Sequence, residues 1–203
     1  MRNWTGLTVA LVACAAVSGC KQAPKMNFAD CALDPSTKPI MDAESAGCIL
    51  MVDGALLVER VAGTGESAGK VTPPGGSVAS GESARCSAVR QTYEEMGLRV
   101  KAGKLFGVWR NNYHLFICSI IDPTDVAKAR EPGVPESAKD AVMEKVLMDM
   151  PEMKNRRTGK KELWAFPTNV VITADWKSIR AAALEVAPPE PVKAPAAASK
   201  TGK

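Results

Sequence analysis

The sequence predicts one mixed α/β domain with helices packed on a sheet, and three observations carry that expectation. β-rich and helix-like segments are interspersed along the chain, the order expected when helices are laid on a sheet. Asp53-Gly54 stands between two aliphatic runs, a strong short hairpin signal. Residues 82–96 contain no proline or glycine, with Gly81 just before them and Gly97 just after, which is the punctuation of a helix. About 160 residues lie between the polar stretch at 22–25 and a proline-rich C-terminal segment, enough for one domain with a sizeable core.

The elements follow in order. GCILMVDGALLVERV, residues 47–61, reads as two strands joined at Asp53-Gly54, and GTGESAGK is the loop after them. In the helix over 82–96, each side chain turns by about 100° from the last. Ala88, Val89, Thr92 and Met96 therefore share a face that can pack on a sheet, while Gln91, Glu94 and Glu95 share another. LRV, GKLFGVWR and YHLFICSII have the aliphatic and aromatic content of core strands. Residues 122–161 form a long polar connection, in which the spacing of Ala138, Ala141, Val142, Val146 and Met150 predicts a helix over 135–150. ELWAFP reads as a last strand and DWKSIRAAALEV as a last helix.

The two ends differ from the middle. MRNWTGLTVALVACAAVSGC combines a cation at Arg2, an apolar run from Leu7 to Val17 and small residues up to Cys20, the layout of a secretory signal. That run is shorter than the roughly 20 apolar residues a membrane-spanning helix needs. Val17-Ser18-Gly19-Cys20 resembles the lipobox of bacterial lipoproteins. The resemblance implies a signal peptide over 1–19, a mature chain starting at an acylated Cys20 that carries palmitate-type chains, and a tether and N-terminal segment over 20–45. Lys21, where aspartate would favour inner-membrane retention, implies an outer-membrane anchor with the domain facing the periplasm. Residues 187–203, APPEPVKAPAAASKTGK, hold too little apolar bulk to bury and are expected to be disordered.

Charge and cysteine content narrow the function classes. The formal charge of +4 comes without basic-aromatic interleaving, so nucleic acid is not an expected partner. Beyond Cys14 and Cys20, the cysteines are Cys31, Cys48, Cys86 and Cys118, with no CxxC pair, which argues against zinc. In an oxidising envelope compartment an even number points to two disulfides, with three possible pairings. Four buried free thiols remain the alternative.

The stretch from Pro74 to Leu98 carries the chemistry. Gly76, Glu82, Arg90, Glu94, Glu95, Gly97 and Leu98 match seven of the nine fixed positions of the pattern G-x5-E-x7-R-E-U-x-E-E-x-G-U, where U is aliphatic. This stretch resembles the Nudix box, and Pro74-Gly75-Gly76 resembles the PGG that precedes it in many members. Glu162-Leu163-Trp164 with Phe166-Pro167 resembles a strand near their C-terminus, so the likeness covers most of a domain over 46–186. It implies a Nudix-type mixed sheet between helices and a hydrolase of diphosphate linkages using Mg2+ or Mn2+. By the same resemblance Glu95 is the principal metal ligand, Glu94 an additional one, and the carbonyl of Gly75 a third; Arg90 orients the acids and Glu82 supports them. The spacing has a physical sense of its own. Cleaving a diphosphate needs a hard cation to neutralise charge and activate water, and a loop-helix junction offers such a cation backbone and carboxylate oxygens together.

Two positions depart from the pattern. Thr92 replaces an aliphatic residue and can bond back to a carbonyl one turn earlier. Gln91 replaces a glutamate that the family uses as a metal ligand and, in some members, as the base; an amide keeps one neutral oxygen but cannot accept the proton. Members with the base on a later loop direct attention to Glu131, Glu136, Glu144 and Glu162. Three functions stay open: an active hydrolase acting on a small-molecule diphosphate, a degenerate domain that binds such a ligand without turnover, and a structural envelope lipoprotein. His114 reads as a packed strand residue, and Lys154, Arg156, Arg157, Lys160 and Lys161 as an exposed basic loop.

Overall fold

The computed structural model describes residues 39–109 and 111–185; the expected signal peptide over 1–19, Cys20, Cys31 and the expected tail over 187–203 lie outside the described residues. The hairpin is present as expected, with β1 at Ser45–Val52 and β2 at Ala55–Val61 paired antiparallel around Asp53 and Gly54, both with positive φ. Two short strands follow, β3 at Val71–Thr72 on β2 and β4 at Gly75–Ser77 on β1. Beyond the first helix come β5 at Val100–Val108 and β6 at Tyr113–Ile120, an antiparallel pair. β6 lies parallel to β1, which makes the sheet mixed. With β7 at Val142–Asp149 and β8 at Lys154–Asn155, the strand order is β5-β6-β1-β2-β7-β8.

Helix α1, Ala84–Met96, begins two residues later than the sequence predicts. Ser83 is its cap, because its side chain accepts the Cys86 N–H at 3.3 Å and satisfies one of the amides a helix start leaves free. Glu82 stays outside the helix, and no acid occupies its first turn. Gly97 ends it in the left-handed region at φ 70°, donating to the Tyr93 carbonyl at 2.8 Å. Ala88, Val89, Thr92 and Met96 are buried as the periodicity predicts, and the Thr92 hydroxyl donates to the Ala88 carbonyl at 2.8 Å.

The helix expected over 135–150 is not there. The connection holds α2 at Pro123–Arg130, a single 3-10 turn at Glu136–Ala138, and then β7. Val142 and Val146 are four apart and fit either period, but Met148 is buried with them, which is the period-two signature of a strand. β2 also offers β7 a ladder from Leu56 to Val61. Asp122-Pro123, a capping acid followed by proline at the first helical position, was the available signal for α2. ELWAFP makes a single isolated bridge, Trp164 with Val71, instead of the expected strand. The chain ends in α3 at Val170–Ala174 and α4 at Trp176–Glu185.

The sheet has one core on each face. α1 covers Ala46, Cys48, Leu50, Leu57 and Phe116, while Ile172, Trp176 and Ile179 of α3 and α4 cover Ile49, Leu56, Val58 and Met148. This is the predicted sheet between helices. Cys48 and Cys118 form a disulfide across the parallel β1-β6 pair, within the α1-side core. Cys86 is disulfide-bonded too.

Candidate active site

The turn before α1 is held from below by β1. Gly75 pairs with Gly47, and the Cys48 N–H donates to the Pro74 carbonyl at 3.0 Å. There is no room here for side chains. A Cβ on Gly75 would lie 2.6 Å from the Ala46 carbonyl and 2.6 Å from the Tyr113 hydroxyl, and one on Gly47 would lie 2.1 Å from that hydroxyl. The glycines let the turn sit low enough on β1 for its backbone to face the C-terminal turns of α1.

Arg90 ties turn and helix together. Its Nε and Nη2 donate to the two oxygens of Glu82, both at 2.9 Å, its Nη1 donates to Glu94 at 2.9 Å, and Nη2 also reaches the Ser77 carbonyl at 3.1 Å. Glu82 in turn accepts the Ala79 N–H at 3.1 Å. Glu82 is held below the usual carboxylate range: burial opposes this, but the hydrogen bonds from Arg90 and Ala79 outweigh it. The Ser77 carbonyl also accepts from the Ser87 hydroxyl at 3.2 Å and from the Gln91 amide at 3.3 Å. Arg90 and Glu82 thus fix the loop, and Glu94 remains partly exposed on the Arg90 fork.

Glu95 points the other way, inward. Its Oε2 accepts the Gly75 N–H at 2.9 Å. Burial pushes its carboxyl up to about 7, with the Gly75 amide and a hydrogen bond from Glu59 pulling the other way. Glu59 had no place in the sequence reading. It stands on β2, two positions after Leu57 and on the same face, so its side chain meets α1 from across the sheet. It is only 5% exposed, and its Oε2 receives no hydrogen bond. Burial, then the Glu95 charge and the hydrogen bond to Glu95, raise its carboxyl far above the usual range, so Glu59 holds the proton that the two share. The Tyr113 hydroxyl is kept protonated by burial and by both carboxyls. The signal for Glu59 was an acid in an otherwise aliphatic strand, LLVERV, beside an arginine that invited a surface reading.

The other candidates are occupied elsewhere. Glu162 is gripped by both Arg60 nitrogens at 2.7 and 2.8 Å, and Glu144 takes Arg60 Nε at 3.0 Å and Arg157. Glu136 pairs with Lys139 at 2.5 Å. Glu131 caps the C-terminus of α2 and borders a cavity with Met96 and Lys145. Two arginines of the basic loop are spent on structure: Arg156 holds Asp149 and the Asp53 carbonyl, and Arg157 holds Glu144, while Lys154, Lys160 and Lys161 are exposed. His114 is packed, with Nδ1 3.2 Å from the Asn112 carbonyl. A cavity of about 380 Å3 near Met51, Ile120 and Leu184 is lined by none of the candidate site residues.

Among the described residues no three acidic, histidine or cysteine side chains already converge as a metal site. Mg2+ nevertheless fits the donors present. It binds through one or two carboxylates and completes its shell with water and substrate phosphate oxygens, and the buried Glu59 oxygen without a donor is a position a cation would satisfy.

A mixed sheet between helices, with a glycine turn paired to the central β1 and an acid-bearing helix packed over it, defines the class. The NUDIX domain pattern matches residues 41–162, more than half of the chain, and the protein belongs to the Nudix family. No protein with a curated description matches it. Solved structures similar to it include a NUDIX hydrolase from Nitrosomonas europaea, at 21% identity over 71% of this chain and 73% of that one with a TM-score of 0.45. A UDP-X diphosphatase is 14% identical over 72% and 68% with a TM-score of 0.46. The Bacillus subtilis pyrophosphohydrolase BsRppH is 18% identical over 76% and 87% with a TM-score of 0.43.

Proposed function

We propose that the protein is a divalent-metal-dependent hydrolase of a diphosphate linkage in a small molecule, carried on the periplasmic side of the envelope by a lipid at Cys20. The observation that carries the catalytic half is Glu95: a half-buried carboxylate placed against the Gly75 backbone beside the Arg90-Glu82 clasp. Glu95, Glu94 and the Gly75 carbonyl would hold Mg2+ or Mn2+, which supplies charge neutralisation and an acidified water. In the reaction a water oxygen forms a bond to one phosphorus, the bridging P–O bond breaks, and the bridging oxygen leaves with one phosphate half. The chain's own contribution is positioning. Arg90 keeps Glu94 and the turn in register, and the glycine turn brings its backbone close to the phosphates.

The location rests on Val17-Ser18-Gly19-Cys20 and is supported by the two disulfide-bonded positions, Cys48-Cys118 and Cys86, which suit an oxidising compartment. The Cys20→Ser variant should escape acylation; mass spectrometry finding an unmodified mature N-terminus elsewhere in the native protein would end this half. Hydrolysis of a diphosphate panel, with Mg2+, with Mn2+ and with chelator, tests the catalytic half. Gln91 favours a second reading, a domain that binds a diphosphate without turnover. Binding to a panel member with no hydrolysis under any metal condition would select it.

A further inference from the structure

Gln91 stands where the box has a carboxylate, and the structure shows what the amide does there. Its Nε2 donates to the Ser77 carbonyl, and the side chain lies so close to the turn that a Cβ on Gly76 would be 2.7 Å from that nitrogen. A carboxylate would have no hydrogen to give. Glu94 is engaged by Arg90 and is partly exposed. α1 therefore delivers one inward-facing, half-buried carboxylate, Glu95, to a site that must neutralise a diphosphate.

A second carboxylate, this one fully buried, comes from outside the box. Glu59 of β2 meets Glu95 beneath the Gly75 turn, and the Tyr113 hydroxyl closes the floor. Among the described residues no cation pairs with Glu59. The ladder partner opposite it, Lys145, sends its Nζ to the Met96 carbonyl at 3.3 Å instead, and Arg60 next along the strand points to the other face. A carboxyl serving only to hold the fold would be expected to have its oxygens paired, because a buried acceptor without a donor is destabilising. Glu59 is 5% exposed and its Oε2 has no hydrogen-bond partner.

We propose that Glu59 is a metal ligand, forming with Glu95 the carboxylate pair that binds Mg2+ or Mn2+ in place of the carboxylate missing at Gln91. This deepens the metal-dependent reading above and rests on it. The site is assembled from a strand and a helix on one face of the sheet, and Gln91 is freed to act as a clasp.

The test is Mn2+ binding by the full-length protein, followed by the electron paramagnetic resonance signal of free Mn2+, together with melting temperature with and without Mn2+. Wild type should bind Mn2+ and melt higher with it. Glu59→Gln should weaken Mn2+ binding at least tenfold and lose the Mn2+-induced rise, while its metal-free melting temperature equals or exceeds wild type because a neutral amide replaces a buried acid. Glu59→Asp keeps the charge with a shorter reach and should fall between the two; it decides the matter if the glutamine variant does not fold. Glu95→Gln is the control. If Glu95→Gln loses Mn2+ while Glu59→Gln and Glu59→Asp bind within twofold of wild type, the role of Glu59 is overturned and the metal-dependent reading stands. Wild type that binds no Mn2+ overturns both.

Discussion

Glu59 and Arg60 are neighbours on β2 and show two ways of burying charge. Arg60 faces the α4 side and is fully answered: it makes a fork with Glu162, a bond to Glu144 and another to the Gly69 carbonyl at 2.7 Å, while Asn155 completes Glu162 at 2.9 Å. Glu59 faces the α1 side and meets another acid. One peptide unit separates a closed network from an open one. The closed network joins β2, β7 and the segment around Glu162, and it contributes to the fold. The open one keeps two carboxyls together at the cost of a proton, which is the state of a site built for a further positive charge.

The largest way to sharpen this contrast is Glu95→Gln. It removes the charge of the best-placed of the proposed ligands, and an electrostatic group of this kind is worth on the order of 10² to 10³-fold in rate. Steady-state hydrolysis at saturating Mg2+ should show that loss, with metal-free stability unharmed. Arg60→Met should do the reverse. It leaves Glu162 buried without its fork, and breaking such a pair costs about 3 to 5 kcal/mol. Chemical denaturation should show that loss, while Mn2+ affinity stays near the wild-type value.

The two networks should also answer pH with opposite sign. Burial raises Glu95 from 4.5 to about 7 and raises Glu59 further, so both favour the protonated folded state. Their stability contribution is complete below about 4.5 and is lost as pH rises through 7. A shift of that size in Glu95 corresponds to roughly 3 kcal/mol. Arg60 depresses Glu162, whose contribution is present above the ordinary carboxylate value and lost as pH falls through the lowered one. Metal-free melting curves between pH 4.5 and 7.5 should therefore decline in wild type and stay flatter in Glu59→Gln. A wild-type curve that rises over that range would contradict the carboxyl pair.

The differences in legibility follow the same division. The hairpin, α1 and its buried face could be read because their signals are local: a turn dipeptide, a period of 3.6 and flanking glycines. β7 could not, since Val142 and Val146 suit helix and strand alike and the partner that decides, β2, lies more than eighty residues away. The clasp of Arg90, Glu82 and Glu94 was visible because all three sit on one motif. Glu59 was not, because its meaning depends on a tertiary contact with Glu95, and the sequence shows only an acid beside a base. Glu144 and Glu162, open candidates for a base on charge alone, are partners of Arg60 for the same long-range reason.

The smallest expected effect belongs to Gln91→Glu. Restoring the box glutamate exchanges a donor for an acceptor against the Ser77 carbonyl, so the turn loses the bond now made at 3.3 Å. Arg90 and Ser87 still serve that carbonyl, which limits the damage to about 1 kcal/mol in metal-free protein. The added anion lies near Glu94 and Glu95, so Mn2+ should bind more tightly than to wild type and recover part of the lost stability. Paired with Glu59→Gln, the variant becomes a relocation test: if either carboxylate can complete the site, the double variant should bind Mn2+ better than Glu59→Gln alone. A Gln91→Glu protein that is more stable than wild type without metal would show that the amide does not hold the turn, and the division of labour between Gln91 as clasp and Glu59 as ligand would lose its first half.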